Sequence, residues 1–187
     1  MVDGSTAKAQ QILQEWNMDG QIELVGCPHE PLADPTPDQM TGCEGFIGEF
    51  GPVSAKTAKA MAHAGIRIVS SMSIGVNHVD VAALAQHGII TTNCPGYCSL
   101  DVAQHATGLM LDLMRKITFS NRDVLNGAWA PTGGYAAHRT QGQTIGLVFF
   151  GNIAHAMASI AQTLGMNVIV WAPTKTREEL AQAGCTK

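Results

Sequence analysis

The sequence predicts an α/β protein built of two doubly wound parallel-sheet units, which a long helix joins and of which the second is incomplete. Three observations carry this prediction. Short apolar segments typical of buried strands alternate with helical segments of about ten residues, as in a parallel sheet. The alternation runs up to residue 98 and begins again after residue 143. One long apolar helix, predicted over 99–125, lies between the two runs.

The first half begins with a predicted helix over 5–16, which Ser5 can cap and whose apolar residues fall on one face. A strand is predicted over 21–27. The segment 28–39 contains four prolines and is interpreted as a loop or the approach to a short helix. The next predicted elements are strand 43–50, helix 54–65 with Ser54 as cap and Gly65 as stop, strand 66–73, helix 78–88 and strand 89–94.

The second half begins with helix 99–125, whose apolar residues are broad enough to predict burial on most sides, including against a second subunit. A glycine-rich connection over 127–143 follows it. The remaining predicted elements are strand 144–149, helix 152–164 with Gly165 as stop, strand 167–171 and helix 176–184.

The composition excludes several classes of protein. The 187 residues are 45% apolar and 14% charged, which is a globular balance, and the formal net charge is −4. The 11 Lys and Arg residues are scattered, so no nucleic-acid partner is predicted. No apolar stretch reaches the roughly 18–20 residues of a membrane span. Because the first ten residues show no signal-peptide pattern, a cytoplasmic protein is expected.

The five cysteines are odd in number and are interpreted as reduced thiols of a cytosolic protein. Cys94 and Cys98 are four residues apart and could form half of a zinc site. No second pair at metal-ligand spacing follows them, so no metal site is predicted.

The stretch IGLVFFGNIAHAMA, residues 145–158, is typical of a buried strand that runs into a helix around a dinucleotide-binding turn. The fingerprint of that turn is G-x-G-x-x-G or G-x-G-x-x-A. Gly151 occupies the second glycine position and Ala154 the third, whereas Phe149 replaces the first. Two interpretations stay open, a coenzyme site and a plain β-α-β crossover without a ligand.

Two long segments, 73–117 and 127–173, resemble the D-isomer-specific 2-hydroxyacid dehydrogenases. The second segment is similar to the family in its G-x-W, its Gly-Gln-Thr strand, its coenzyme turn and its final G-M-x-V run. The turn at Tyr97 and Cys98 and the GQTIGLV strand resemble the branch that includes the C-terminal-binding-protein corepressors. In the first segment the family pattern is matched by Gly75, Val76, Asp80, Asn93, Pro95, Ser99, Val102, Ala103, His105 and Ala106.

This resemblance implies Rossmann-like or flavodoxin-like units, with the N-terminal part of a substrate domain over 1–98 and the first half of a coenzyme domain over 99–187. It implies an oxidoreductase that acts on the CH–OH group of 2-hydroxy acids, with NAD or NADP as coenzyme and a small 2-hydroxy or 2-oxo acid as substrate. It also implies a homodimer through the 99–125 helix.

The resemblance assigns no catalytic residue here, because the family's Arg, Glu and His positions lie beyond Lys187. The chain is therefore expected to be truncated at both ends and to lack dehydrogenase activity alone. Steady reduction of NAD or NADP by a panel of 2-hydroxy acids would contradict this expectation. The alternative is a non-catalytic dimerisation or nucleotide-sensing module derived from the family.

The resemblance also implies which residues contact each part of the coenzyme. The pyrophosphate is expected to face Gly151, Asn152 and Ile153. Ile74 is expected near the nicotinamide. The adenosine end is assigned to Ala172, Thr174 and Lys175.

The position that in the family carries an Asp for the ribose hydroxyls is Ala172 here, and Lys175 and Arg177 follow it. Without that carboxylate and with two cations near, NADP is at least as plausible a coenzyme as NAD. The alternative is a solvated charged loop.

The substrate carboxylate is expected to bind the backbone N–H groups of a loop formed by Ser73, Ile74, Gly75 and Val76, where Ser73 replaces a usual glycine. A simple strand-to-helix turn is the alternative.

Phe149 is expected to weaken coenzyme binding. A left-handed backbone costs a non-glycine residue roughly 1–2 kcal/mol, whereas ordinary strand geometry at this position would leave only the bulk of the ring to matter. A loss of about 2 kcal/mol corresponds to an affinity roughly 30-fold lower.

Overall fold

A computed structural model describes residues 4–26, 36–48, 52–129 and 136–187. The chain divides into two compact units, Met1–Pro95 and Gly96–Lys187. The boundary lies three residues before the predicted one at 98/99 and places the whole 99–125 segment in the second unit. The α/β class with parallel strands is confirmed.

After its first two helices, the first unit alternates strands and helices as the sequence predicts. Helix α3 (Ala55–Ala64) has the predicted ends, because the Ser54 side chain accepts a hydrogen bond from the Thr57 N–H and Gly65 is left-handed with φ +93°. Asp80 caps α4 (Val81–Gln86) in the same way, because its side chain accepts from the Ala83 N–H. The elements are α1 Gly4–Glu15, α2 Pro37–Met40, β1 Gly45–Gly48, α3 Ala55–Ala64, β2 Ile68–Ser71, α4 Val81–Gln86 and β3 Ile90–Thr92.

The three strands form a parallel sheet in the order β1-β2-β3, in which Val69 pairs with Phe46 on one side and Thr91 on the other. Because side chains alternate along a strand, each sheet face carries every second residue. One face contributes Val69 to the core, and the other exposes the isoleucine row of Ile47, Ile68 and Ile90. The buried core consists of Met40, Val53, Ala58, Met61, Ile66, Val69, Val79, Ala83, Leu84 and Ile89.

The predicted strand over 21–27 is wrong for residues 21–26, which form no strand. The Gln21 and Ile22 N–H groups instead donate to the Met18 carbonyl and close a turn after α1. An apolar alternation supplies the side chains of a strand but not the neighbouring strand that must bond to it. Cys27 and most of the proline-rich segment lie outside the described residues.

The second unit contains a two-stranded parallel sheet in which Ile145 pairs with Val168 and Leu147 with Val170. Helices α5 (Ser99–Arg115) and α7 (Asn152–Thr163) pack against each other, and Thr186 bonds to the outer edge of β5 (Asn167–Trp171). The elements are α5 Ser99–Arg115, α6 Ile117–Leu125, β4 Thr144–Val148, α7 Asn152–Thr163, β5 Asn167–Trp171 and α8 Arg177–Gln182. The buried core consists of Phe150, Ala158, Ala161, Met166, Val168, Val170, Ala172, Leu180 and Cys185.

The single long helix predicted over 99–125 is wrong, because Lys116 adopts a left-handed conformation (φ 60°, ψ 36°) and separates α5 from α6. The Asp112 carboxylate accepts hydrogen bonds from the N–H and the hydroxyl of Thr118, at 2.6 and 2.9 Å, and so holds the start of α6. The apolar pattern continues through both helices, and hydrophobic periodicity therefore does not reveal the break.

Lys116→Gly is expected to be more stable than Lys116→Ala by about 1 kcal/mol, since only glycine adopts the left-handed conformation without steric cost. Both substitutions remove the same side chain, so the comparison isolates the backbone. At Lys59, which is exposed within α3, the order should reverse because alanine is the better helix former. Urea unfolding followed by circular dichroism measures all four variants, and equal stabilities at position 116 would contradict the prediction.

Candidate functional site

The turn between β4 and α7 presents a row of backbone donors. Gly151 is the N-cap of α7 with extended backbone (φ −90°, ψ −170°), and no side chain caps the helix. Within the described ranges, the N–H groups of Asn152, Ile153 and Ala154 donate to no acceptor. A Cβ added at Gly151 would meet no atom within 4 Å. The start of α7 is therefore open, and its free N–H groups and helix dipole favour an anion.

Phe149 has the left-handed backbone that the first glycine of the fingerprint would allow, with φ +69°. Its N–H donates to the Trp171 carbonyl at 2.7 Å. The two rings meet edge to face with centroids 5.5 Å apart and planes at 63°. Both side chains remain exposed, Phe149 by 61% and Trp171 by 59%. The aromatic pair thus lies on the surface where β4 and β5 end.

The neighbouring Phe150 points the other way. It is buried in the core of the second unit, and its ring lies 3.9 Å from the ring of the exposed His155. The two consecutive phenylalanines therefore have different environments, and only Phe149 is available to a ligand.

The residues predicted to bind the adenosine, which follow β5, lie in different environments. Ala172 is only 2% exposed and lies in the core, so its methyl group does not reach the surface. Thr174 is exposed, and Lys175 forms an ion pair with Glu179 at 3.3 Å. The Thr176 N–H and the Lys175 ammonium hold the pKa of the Glu179 carboxyl below its usual value. In the part of the chain that the structure describes, Arg177, the first residue of α8, makes no ion pair, so no carboxylate neutralises its charge.

In the first unit, the predicted substrate loop is fixed by its own side chains. The Ser73 hydroxyl donates to the Gly75 carbonyl at 2.7 Å and lies 2.6 Å from the Ser71 hydroxyl. The Asn93 amide donates to the Ile74 carbonyl at 2.6 Å, which ties the loop to the end of β3. The carbonyl groups of Ile74 and Gly75 thus accept hydrogen bonds from side chains of the same unit.

The N–H groups of Ile74, Gly75 and Val76 donate to no acceptor among the residues that the structure describes. The loop therefore combines a fixed shape with free donors, which is the arrangement that a carboxylate requires.

Sequence reasoning located both loops but missed two contacts. The contact between Phe149 and Trp171 could have been found from strand register, since Val148 pairs with Trp171 and both strands end there. The Asn93 bond to the loop follows from β3 lying beside β2 in the sheet. Over the described ranges, no three His, Cys, Asp or Glu side chains group as metal ligands, and no helix is both long and apolar enough to cross a membrane.

Comparison with known protein families identifies the family to which this chain belongs. A family model for the D-isomer specific 2-hydroxyacid dehydrogenase, catalytic domain, matches residues 1–184. The chain therefore belongs to the D-isomer-specific 2-hydroxyacid dehydrogenase family.

Sequence relatives include the D-3-phosphoglycerate dehydrogenase of Archaeoglobus fulgidus, 31% identical over 119 residues, or 64% of this chain and 22% of that protein. The hydroxypyruvate reductase of Thermotoga maritima is 32% identical over 115 residues, or 62% of this chain and 37% of that protein. The matched region thus spans well under half the length of either relative.

Solved structures share the fold. The TT0316 protein from Thermus thermophilus matches with a TM-score of 0.74 at 28% identity, over 90% of this chain and 54% of that one. The apo-structure of D-lactate dehydrogenase from Escherichia coli has the same TM-score of 0.74 at 21% identity, over 97% of this chain and 55% of that one. The latter likeness concerns the fold alone.

Proposed function

We propose that this chain is the nicotinamide-coenzyme-binding part of an oxidoreductase that acts on the CH–OH group of small 2-hydroxy acids. The observation that carries the proposal is the open β4–α7 turn, where the free N–H groups of Asn152 and Ile153 lie beside an unobstructed Gly151. These groups would hold the pyrophosphate. When bound, the coenzyme supplies the hydride acceptor or donor for the reaction.

Each unit takes one part of this function. We assign the coenzyme to the unit Gly96–Lys187 and the substrate carboxylate to the loop 73–76 of the unit Met1–Pro95. The free N–H groups of that loop suit a carboxylate of a 2-hydroxy or 2-oxo acid.

The coenzyme is expected to be NADPH at least as readily as NADH. No carboxylate side chain follows β5 at Ala172, and Arg177 is exposed without an ion-pair partner in the described ranges. A guanidinium there suits a 2′-phosphate. Lys175 contributes less, because Glu179 already neutralises part of its charge.

A fluorescence titration tests the proposal. In a W16F/W129F background Trp171 is the only tryptophan, and NADPH is expected to quench it saturably in the micromolar range. Arg177→Gln should then weaken NADPH binding roughly fivefold, about 1 kcal/mol for a partly exposed charged contact, and leave NADH unchanged. Arg67→Gln, an exposed arginine of the first unit, is the matched control. Absence of quenching up to millimolar coenzyme would refute coenzyme binding.

A second candidate function is dimerisation without catalysis, which the surface of α5 and α6 favours. Val102, Leu109 and Leu113 follow one another at intervals of seven and four residues along α5 and are all exposed. Such a spacing forms one apolar stripe, and it supports a homodimer through 99–125 even though Lys116 breaks the helix. Light scattering of the purified chain would distinguish a dimer from a monomer.

A further inference from the structure

Folding alone does not explain why position 149 carries a phenylalanine. Its backbone is left-handed, a conformation that disfavours any residue with a side chain. Its ring is mostly exposed, so burial gives little in return. Strain that the surrounding structure maintains without a packing benefit points to a functional role for the residue.

The position of the ring shows that it does not obstruct the turn. Apart from its two chain neighbours, no described atom lies within 4 Å of a Cβ added at Gly151, so the Phe149 ring does not fill the space over Gly151. The ring leans on Trp171 instead. The left-handed backbone belongs to the fold itself, since the Phe149 N–H is bonded to the Trp171 carbonyl. Its strain therefore lowers the stability of the fold rather than the affinity of the site.

The aromatic pair also has the chemistry of a base-binding surface. Two exposed rings meet at the ends of β4 and β5, and the adjoining side chains Val148 and Ile169 are apolar and exposed. Flat heterocycles stack on such rings, whereas carboxylates and phosphates gain nothing from them. In a doubly wound sheet, ligands bind just outside the carboxyl ends of the strands, where this pair lies.

We infer that Phe149 is a specificity-determining residue, which with Trp171 forms the stacking surface for the adenine of the coenzyme, and that it strengthens binding. The inference rests on the proposed function. The sequence alone predicts that a phenylalanine in place of the first glycine weakens coenzyme binding, whereas this inference gives that phenylalanine a role in binding. Phosphate binding at Gly151 and adenine stacking at the aromatic pair are then adjacent parts of one site.

The test compares Phe149→Gly with Phe149→Ala in the W16F/W129F background, with NADPH and 5′-AMP as probes. Loss of one base–aromatic stack, about 1–3 kcal/mol, corresponds to an affinity roughly 5- to 150-fold lower. Both variants should show this loss for both probes, although glycine relieves the strain and should raise the melting temperature above that of the alanine variant. A structural role would move the melting temperature and the affinity together.

The competing interpretation is that the Phe149 ring obstructs coenzyme binding. If the ring is an obstruction, Phe149→Gly restores the fingerprint and binds NADPH more tightly than the parent chain, which overturns the inference and leaves the proposed function standing. If the parent chain binds neither NADPH nor 5′-AMP, both the inference and the proposed function are refuted. Nicotinamide mononucleotide, which lacks adenine, should bind the parent and both variants equally, and a loss in the variants would overturn the inference.

Trp171 supplies the second measurement, here in the parent tryptophan background by calorimetry. Trp171→Phe keeps an aromatic ring and should retain 5′-AMP binding within about threefold, whereas Trp171→Leu should lose it by roughly the same factor as the Phe149 variants. Equal binding by the phenylalanine and leucine variants would show that area rather than aromatic stacking matters, and would overturn the inference.

Discussion

Gly151→Asp is expected to weaken NADPH binding severely while the fold becomes slightly more stable. Gly151 is the N-cap of α7 and has extended backbone, so an aspartate fits there without strain. Its carboxylate would accept a hydrogen bond from the first turn of the helix, and aspartate is a better N-cap than glycine by a few tenths of a kcal/mol. The same carboxylate would occupy the donors that a phosphate needs and repel it.

The expected loss is about 100-fold or more in affinity, because like charges in close contact cost several kcal/mol. Trp171 fluorescence gives the affinity, and thermal unfolding gives the stability. Ser159→Asp is the matched control, since it adds the same charge to an exposed position farther along α7. Unchanged NADPH affinity in Gly151→Asp would show that the β4–α7 turn does not bind the coenzyme. Equal losses of affinity in both variants would show that the added net charge, and not its position, causes the effect.

Leu84→Ala is expected to have the largest effect on stability. Leu84 is fully buried in the core of the first unit, and its helix α4 contributes only six residues in all. Removing a buried leucine side chain costs about 2–5 kcal/mol through lost burial and the cavity that remains. This is a large part of the roughly 5–15 kcal/mol that stabilises a typical domain.

Val81→Ala is the control for this prediction, because Val81 lies on the same helix with its side chain exposed. Its free energy of unfolding should change by less than about 1 kcal/mol. Urea unfolding followed by circular dichroism measures both variants. A loss below about 1 kcal/mol in Leu84→Ala would mean that the core of this unit closes over the missing side chain.

The fold could be predicted where local chemistry and tertiary packing agree. Helix α3 is an example, since Ser54 and Gly65 fix its ends by hydrogen bonding and backbone conformation that the residue types themselves dictate. The failures have the opposite character. Residues 21–26 have a strand-like pattern but pair with no strand among the residues that the structure describes. The break at Lys116 depends on a bond to Asp112, which hydrophobic periodicity does not reveal.

The candidate site divides in the same way. The position of the β4–α7 turn follows from the glycine at 151 and from the strand and helix on either side of it. The left-handed backbone of Phe149 was one of two conformations that the sequence left open. The direction of its ring and the burial of Ala172 depend on strand register and on the packing of α8, and neither is visible in a motif.

The isoleucine row on the open face of the β1-β2-β3 sheet has a practical consequence for all these measurements. Ile47, Ile68 and Ile90 form a water-exposed apolar strip, and the net charge of −4 gives only weak repulsion between molecules. Colloidal attraction will therefore rise with protein concentration and with salt, which screens that charge. Dilute protein at low ionic strength is the condition under which binding and unfolding will report on single molecules.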